Sequence, residues 1–478
     1  IPPQQRLVLW RQSLQDDEDA PPFPRLGGGT LPKKNTPGCP ANCTCPSEET
    51  VECGGLDLHV FPGNVSRAVQ HLSLQVTVPR PAPRGSIERP RGQGQLGAVG
   101  RGAQGSGADG GCWTRCPGVR GRRGLLDAVP RGQGQMGALL PQSQRPVPLP
   151  LGSKLKSLEY LDLSNNNLTE IPAGFPPNIM ILHLGKNRIG SLPRDSLSRV
   201  RGLQYLLLQN NRLTAAGVHP DAFLKLRSLH TLHLYNNRLE RVPPGLPRRV
   251  RSLMILHNQI AHIGLHDFAN TYLLAELNLS YNRLYSAKIH RLAFRKLRRL
   301  QSLDLSGNQL TLLPAGLPPS LEVLTLHKNQ INSLSPELLA NLSGLKELHL
   351  AHNRLRIGAI SPGTWQELQG LKLLDLSNNE LSYIPPDLPE SLEYLYLQHN
   401  RIAVIGAEAF HTILDIRAIV LRSNRLLAAS VSDQAFVALK QLEVVDTTGN
   451  PEPISVKLPR AGRWLRSHPG PRQADTSA

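Results

Sequence analysis

The residues of this chain with chemistry to offer are six cysteines, sixteen histidines and a scatter of carboxylates. Four of the cysteines cluster as Cys39-x3-Cys43-x-Cys45-x7-Cys53. Two chemistries fit such a cluster, a disulfide knot or a zinc site. Zinc sites of this kind use C-x2-C pairs with further Cys or His at set distances. Here there is no such pair, and His59 is the nearest histidine. The spacing favours disulfides, and disulfides place the chain in an oxidising, secretory setting. Cys112 and Cys116 remain, and nothing in the sequence decides whether they pair.

The histidines raise metal and catalytic chemistry. His327 and His349 fall on neighbouring strands, with His352 close by. Three imidazoles can hold a metal, but a site needs a full ligand set, and no carboxylate or cysteine completes a clear one. There is no Ser-His-Asp order, P-loop or H-E-x-x-H. No catalytic residue, cofactor or metal ligand is therefore assigned, and an enzyme is not expected. Five N-x-[ST] sequons offer glycan sites: Asn42, Asn64, Asn167, Asn278 and Asn341. Ser-Gly pairs at Ser306 and Ser343 lie inside repeated sequence and read as structural.

What must position these groups is a lattice of thirteen asparagines: 166, 187, 211, 237, 258, 282, 308, 329, 353, 379, 400, 424 and 450. Their spacings run 21, 24, 26, four times over. Each sits in the phrase L-x-x-L-x-L-x-x-N-x-L or a near variant, as in Leu371 to Leu381. A period of this length marks a leucine-rich repeat solenoid. The fold class expected is therefore α/β: a curved parallel β-sheet on the concave face, with polyproline, 3-10 and short helical turns on the convex face. In each L-x-x-L-x-L the leucines point inward and the x residues face out. The lattice asparagine turns the chain and bonds backbone groups left unpaired. The 21-residue class carries proline pairs such as Pro314 and Pro318. The 26-residue class carries Phe223, Phe294, Trp365 and Phe436, read as plugs held in a helical turn.

The organisation follows. Residues 1–38 read as a flexible arm, and 39–75 as a cysteine-rich cap with one unfinished repeat. Residues 76–150 form an insert with 11 Arg against 3 acids and no apolar periodicity, read as disordered. Residues 151–456 are the solenoid, whose last repeat frays, and 457–478 are a basic tail. The net charge of +18 is thus uneven, +8 of it coming from the insert. The start at Ile1 shows no apolar leader and reads as a processed or truncated end. No run of 18 apolar residues is present to span a membrane.

With no enzymatic constellation, function must sit on the outward rows. These gather Glu276, Asp304, Glu322, Glu347, Asp375 and Glu393, with Tyr394 and Tyr396 beside them. The patch reads as a groove for a rod-like basic ligand anchored by tyrosines. Asn278 is expected to project from the same face, so that a glycan there would bar ligand from the sixth repeat.

A cysteine cluster ahead of a leucine-rich array, joined to the 21/24/26 alternation, resembles the small leucine-rich proteoglycans. Leu392-Glu-Tyr-Leu-Tyr-Leu-Gln-His-Asn400 and Val250-Arg-Ser-Leu-Met-Ile-Leu-His-Asn-Gln-Ile260 are similar to the podocan class within them. The resemblance implies pairing of Cys39 with Cys45 and Cys43 with Cys53. It also implies residence in the extracellular matrix, collagen binding through the concave face, and modulation of cell growth. Many members end in a two-cysteine repeat, whereas this chain has no cysteine after Cys116. The insert has no counterpart in the pattern and reads as breaking contact between cap and array. The expectation is a secreted, non-enzymatic collagen binder. The runner-up is a soluble or receptor-derived ectodomain for a growth factor or other signalling protein. Heparan-type glycans remain open as partners of the insert and tail; nucleic acid is not expected.

Overall fold

The computed structural model describes residues 39–40, 43–54, 65–75 and 155–456. The expectations for the arm, the insert and the tail, and for Asn42, Asn64, Cys112 and Cys116, fall outside the described residues.

Sixteen strands form one sheet in strict chain order. Strand β1 (Cys43–Ser47) and β2 (Thr50–Gly54) make an antiparallel hairpin; β3 (His71–Gln75) then adds in parallel. Disulfides Cys39–Cys45 and Cys43–Cys53 staple the hairpin, the pairing that the resemblance implies. The thirteen strands of the array are three residues each, from β4 (Tyr160–Asp162) to β16 (Val444–Asp446). Eleven of them are x-L-x, with Ile419 and Val445 central in the last two, and the central leucines are fully buried, as Leu161, Leu303 and Leu395 show.

The strands are short because the chain turns at every lattice point. The residue before each lattice asparagine has positive φ, from 50° at His257 and Tyr281 to 72° at Gly449. Only two of these thirteen are glycine, Gly307 and Gly449; the rest carry side chains. A left-handed non-glycine residue costs about 1–2 kcal/mol, so something must hold the turn. The lattice asparagine does. Its Oδ1 accepts the N–H two residues past the preceding lattice asparagine, as Asn308 does from Leu284 at 3.0 Å. Its Nδ2 donates to carbonyls three residues before itself and three before its predecessor, here Leu305 at 2.9 Å and Leu279 at 3.1 Å. At Gly307 glycine is also needed for room, because a Cβ there would lie 2.5 Å from Tyr281 Cδ1.

The ladder corrects one expectation, that the insert breaks contact between cap and array. Strand β3 pairs with β4 in register, His71 with Tyr160 and Leu72 with Leu161. Asn166 Nδ2 donates to Leu74 O at 2.7 Å, the same bond that every later asparagine makes to its predecessor repeat. Asn166 Oδ1 is buried and has no hydrogen-bond partner among the described residues.

On the return side, Phe175, Phe223, Phe268, Phe294 and Phe410 are fully buried. Phe268 stacks on Phe294 and Phe410 packs on Phe436, with ring centroids 6.1 and 5.4 Å apart. Of the four plugs, Phe436 alone sits in an α-helix (Gln434–Val437); the segments around Phe223, Phe294 and Trp365 are turns. Once in each triplet two return segments form a β-bridge, for example Leu334 with Ile360. At the far end Val444 is 40% exposed, and Ile454 and Val456 pack on the last core residues.

Candidate ligand-binding face

Three-residue strands send their first and third side chains to one face and the middle leucine to the other. The register aligns these into rows: Glu276, Ser302, Val323, Glu347, Leu373 and Tyr394 in one, Asn278, Asp304, Thr325, His349, Asp375 and Tyr396 in the next. A third row precedes the strands and carries Glu322, Lys346, Lys372, Glu393 and Arg417 on five consecutive repeats.

The acidic residues do not form a bare anionic surface. Lys346 pairs with Glu322 at 2.8 Å, and Lys372 and Arg417 flank Glu393 at 2.7 and 3.4 Å. Glu276 accepts from Ser252 Oγ at 2.9 Å, and Glu347 lies 3.3 Å from His349 Nε2. Tyr394 and Tyr396 are half-buried beside this ion-paired row.

The third-position residues hold a surprise for the alternation rule. Asp162, Asn278, Asp304, Asp375 and Asp446 each fold back so that Oδ1 accepts the N–H two residues on, at 2.8–3.0 Å. This is an Asx turn at the strand end. It corrects two expectations. Asp304, 6% exposed, is held by Ser306 N–H and faced by Asn278 Nδ2 at 3.3 Å, so it is not presented to a ligand. Burial pushes its carboxyl above the usual range, against the pull of Ser306, His349 and Asn278. Asn278, 5% exposed, does not project; its Oδ1 accepts from both Ser280 N and Ser280 Oγ. A glycan on its amide would have to displace that packing. Asn167 and Asn341 are exposed and remain open as glycan positions.

At the cap end the same row closes into a polar network. Asp162 accepts from Gln75 Nε2 at 2.6 Å and lies 3.4 Å from His183 Nδ1, while His183 Nε2 meets Gln209 at 2.9 Å. Burial works to raise Asp162, but hydrogen bonds and charge from His183, with the Ser164 N–H, bring it below the usual carboxylate range. Burial and the neighbouring Asp162 push the Tyr160 phenol up. Burial, with His183 adding, pushes His233 down to about 4.

The imidazoles are arranged otherwise than the sequence implies. His327 and His349 are brought together, with ring centroids 5.2 Å apart, but the group that joins them is Asp375 rather than His352. One ligand atom from each of the three lies within 4.8 Å of the others. The signal was present: His349 and Asp375 occupy the same strand position one repeat apart.

Leucine-rich repeat family models match residues 177–239, 248–310, 316–355 and 390–451, with further matches at 157–177 and 370–390. Podocan-like protein 1 of Mus musculus is 40% identical across 94% of this chain and 98% of its own length. Podocan of Mus musculus is 56% identical across 62% of this chain and 49% of its own length. Lumican of Homo sapiens is 34% identical across 55% of this chain and 79% of its own. Among solved structures, a chain of the octameric complex of Latrophilin 3, Unc5D and FLRT2 (LRR) is 31% identical. It has a TM-score of 0.52 and covers 60% of this chain and 79% of that one. The cap, the asparagine ladder and these relatives agree: the chain belongs to the small leucine-rich proteoglycans, in their podocan class.

Proposed function

We propose that this chain is a secreted, non-enzymatic protein of the extracellular matrix that binds collagen through the exposed sheet face and modulates matrix organisation and cell growth. The observation that carries the reading is the row Glu322, Lys346, Lys372, Glu393 and Arg417 beside Tyr394 and Tyr396. Strands about 4.8 Å apart make this a ruled plate, suited to a rod rather than to a compact ligand. Half-exposed ion pairs hold each other weakly, so they can exchange partners with the Lys, Arg and acidic side chains of a triple helix at little loss. The tyrosines supply rigid contact area at their side. Disulfides in the cap support the extracellular placement.

The test is binding of the full chain to immobilised collagen fibrils, with Tyr394→Ala plus Tyr396→Ala and with Glu322→Ala plus Glu393→Ala. The tyrosine pair should lose about 2 kcal/mol or more, a hot-spot magnitude, and the glutamate pair should lower the salt dependence. Unchanged affinity in both would remove the face as the site. A second reading, an ectodomain for a growth factor or other signalling protein, draws on the likeness to a chain from the complex of Latrophilin 3, Unc5D and FLRT2. Heparan-type glycan binding by residues 76–150 and 457–478 is separable by heparin chromatography with and without 76–150.

A further inference from the structure

We infer that His327, His349 and Asp375 form a binding site for a divalent transition-metal ion of the zinc type. The three residues come from consecutive strands: β11 (Val323–Thr325) with the turn after it, β12 (Glu347–His349) and β13 (Leu373–Asp375). Each offers one ligand atom, and the three atoms lie within 4.8 Å of one another. His349 and Asp375 are direct register partners, and His327 approaches from two residues past Thr325, the register partner of His349 on the other side.

His349 carries the second observation. It is 4% exposed, and its Nε2 faces the Glu347 carboxylate at 3.3 Å. A carboxylate only accepts, so this contact places the ring proton on Nε2 and leaves Nδ1 as a bare lone pair. That Nδ1 is buried with no hydrogen-bond partner. A carboxylate behind a histidine whose other nitrogen is bare is the arrangement that orients imidazole for a metal. Asp375 is oriented as well, one oxygen being held by Ser377 N–H at 3.0 Å. The nearby ammonium groups of Lys346 and Lys372 are engaged by Glu322 and Glu393, which limits their repulsion of a cation. Two imidazoles and a carboxylate select zinc, cobalt, nickel or copper over calcium or magnesium. Three protein ligands leave a further position open to water or to an incoming side chain.

The test uses the full chain without an affinity tag, stripped with chelator and titrated with cobalt(II) while its visible ligand-field bands are followed, then with zinc in competition. One tightly held ion per chain is expected. His327→Ala and Asp375→Asn should each weaken it by about tenfold or more, while His352→Ala should leave it unchanged. Asn at 375 keeps the acceptor for Ser377 N–H, so circular dichroism of that variant should match the native chain. If His327→Ala fails to fold, Asp375→Asn decides alone. The site is overturned if the native chain shows no cobalt bands, or if Asp375→Asn binds as tightly as the native chain.

Discussion

Replacing Asn308 tests whether the asparagine ladder holds the array together. In Asn308→Ala the Leu284 N–H loses its acceptor at 3.0 Å in a buried setting. An orphaned buried donor costs about 1–3 kcal/mol. The donor side loses less. Leu279 O keeps the Asn282 amide and Leu305 O keeps the Asn329 amide, both at 3.0 Å. Each therefore drops one of two bonds, about 0.5–1.5 kcal/mol apiece. The sum is roughly 2–6 kcal/mol, a large part of a typical domain's stability. Asn308→Asp separates the two halves. It keeps an oxygen for Leu284 N–H but turns the other oxygen toward the carbonyls of Leu279, Leu305 and Ser306, within 3.2 Å of the present amide. It should be at least as damaging as alanine. Urea unfolding followed by far-ultraviolet circular dichroism gives the magnitude, and hydrogen exchange at the Leu284 amide locates it. Because each repeat touches only its neighbours, exchange should quicken around β9 (Glu276–Asn278) and β10 (Ser302–Asp304) before it does at the array's ends. An aspartate variant as stable as the native chain would refute the reasoning, since the amide's donor half would then be idle.

Two further outcomes concern pH. Burial raises the Asp304 carboxyl in the folded state, so the stability it contributes is full at low pH and is lost as pH rises through the raised value. Asp304→Asn keeps the Ser306 turn and forfeits the Asn278 contact at every pH, so its urea midpoint should gain on the native chain between pH 4 and pH 7; a parallel pair of curves would contradict this. His233 is depressed to about 4, below its unfolded value of roughly 6.5, so its contribution is full above that value and is lost as pH falls toward 4. His233→Gln should flatten the stability curve in that window, and an NMR titration of His233 near 6.5 would refute the assignment.

How much of this was legible depended on whether a residue's role was set by period or by local bonding. The leucines and asparagines recur on a lattice, so their inward and turning roles followed from spacing, and the strands fell at the expected phrase in every repeat. The return segments were less legible: Trp365 and Phe223 lie in the core as expected, but of the four aromatic plugs only Phe436 sits in a helix. The sheet face was misread where alternation was applied alone. Asp304 and Asn278 face outward by the period, yet a short side chain two residues before Ser280 or Ser306 can satisfy that backbone N–H and tuck under its neighbours. The repeated D/N-L-S phrase carried that information. Asp375 was missed as the neighbour of His327 and His349 because proximity along the chain favoured His352, whereas register, which follows from the lattice, favoured Asp375.

The junction between cap and array follows from the same ladder. From Leu72 to its register partner Leu161 the chain advances 89 residues, against 21 to 26 in an ordinary repeat. Loop-closure entropy grows only with the logarithm of length, so closing the longer stretch costs roughly 1 kcal/mol more. Against that stand the parallel pairing of β3 with β4, the Asn166 to Leu74 bond and the Gln75 to Asp162 bond. Each such hydrogen bond contributes about 1 kcal/mol, and Leu72 and Leu74 are buried beneath them. The contacts outweigh the closure, which is why the sheet runs unbroken past the extra sequence. Leu74 lends its carbonyl to Asn166, while Asn166 Oδ1 has no partner among the described residues. Without the Leu74 carbonyl Asn166 would lose its hydrogen bond to the cap.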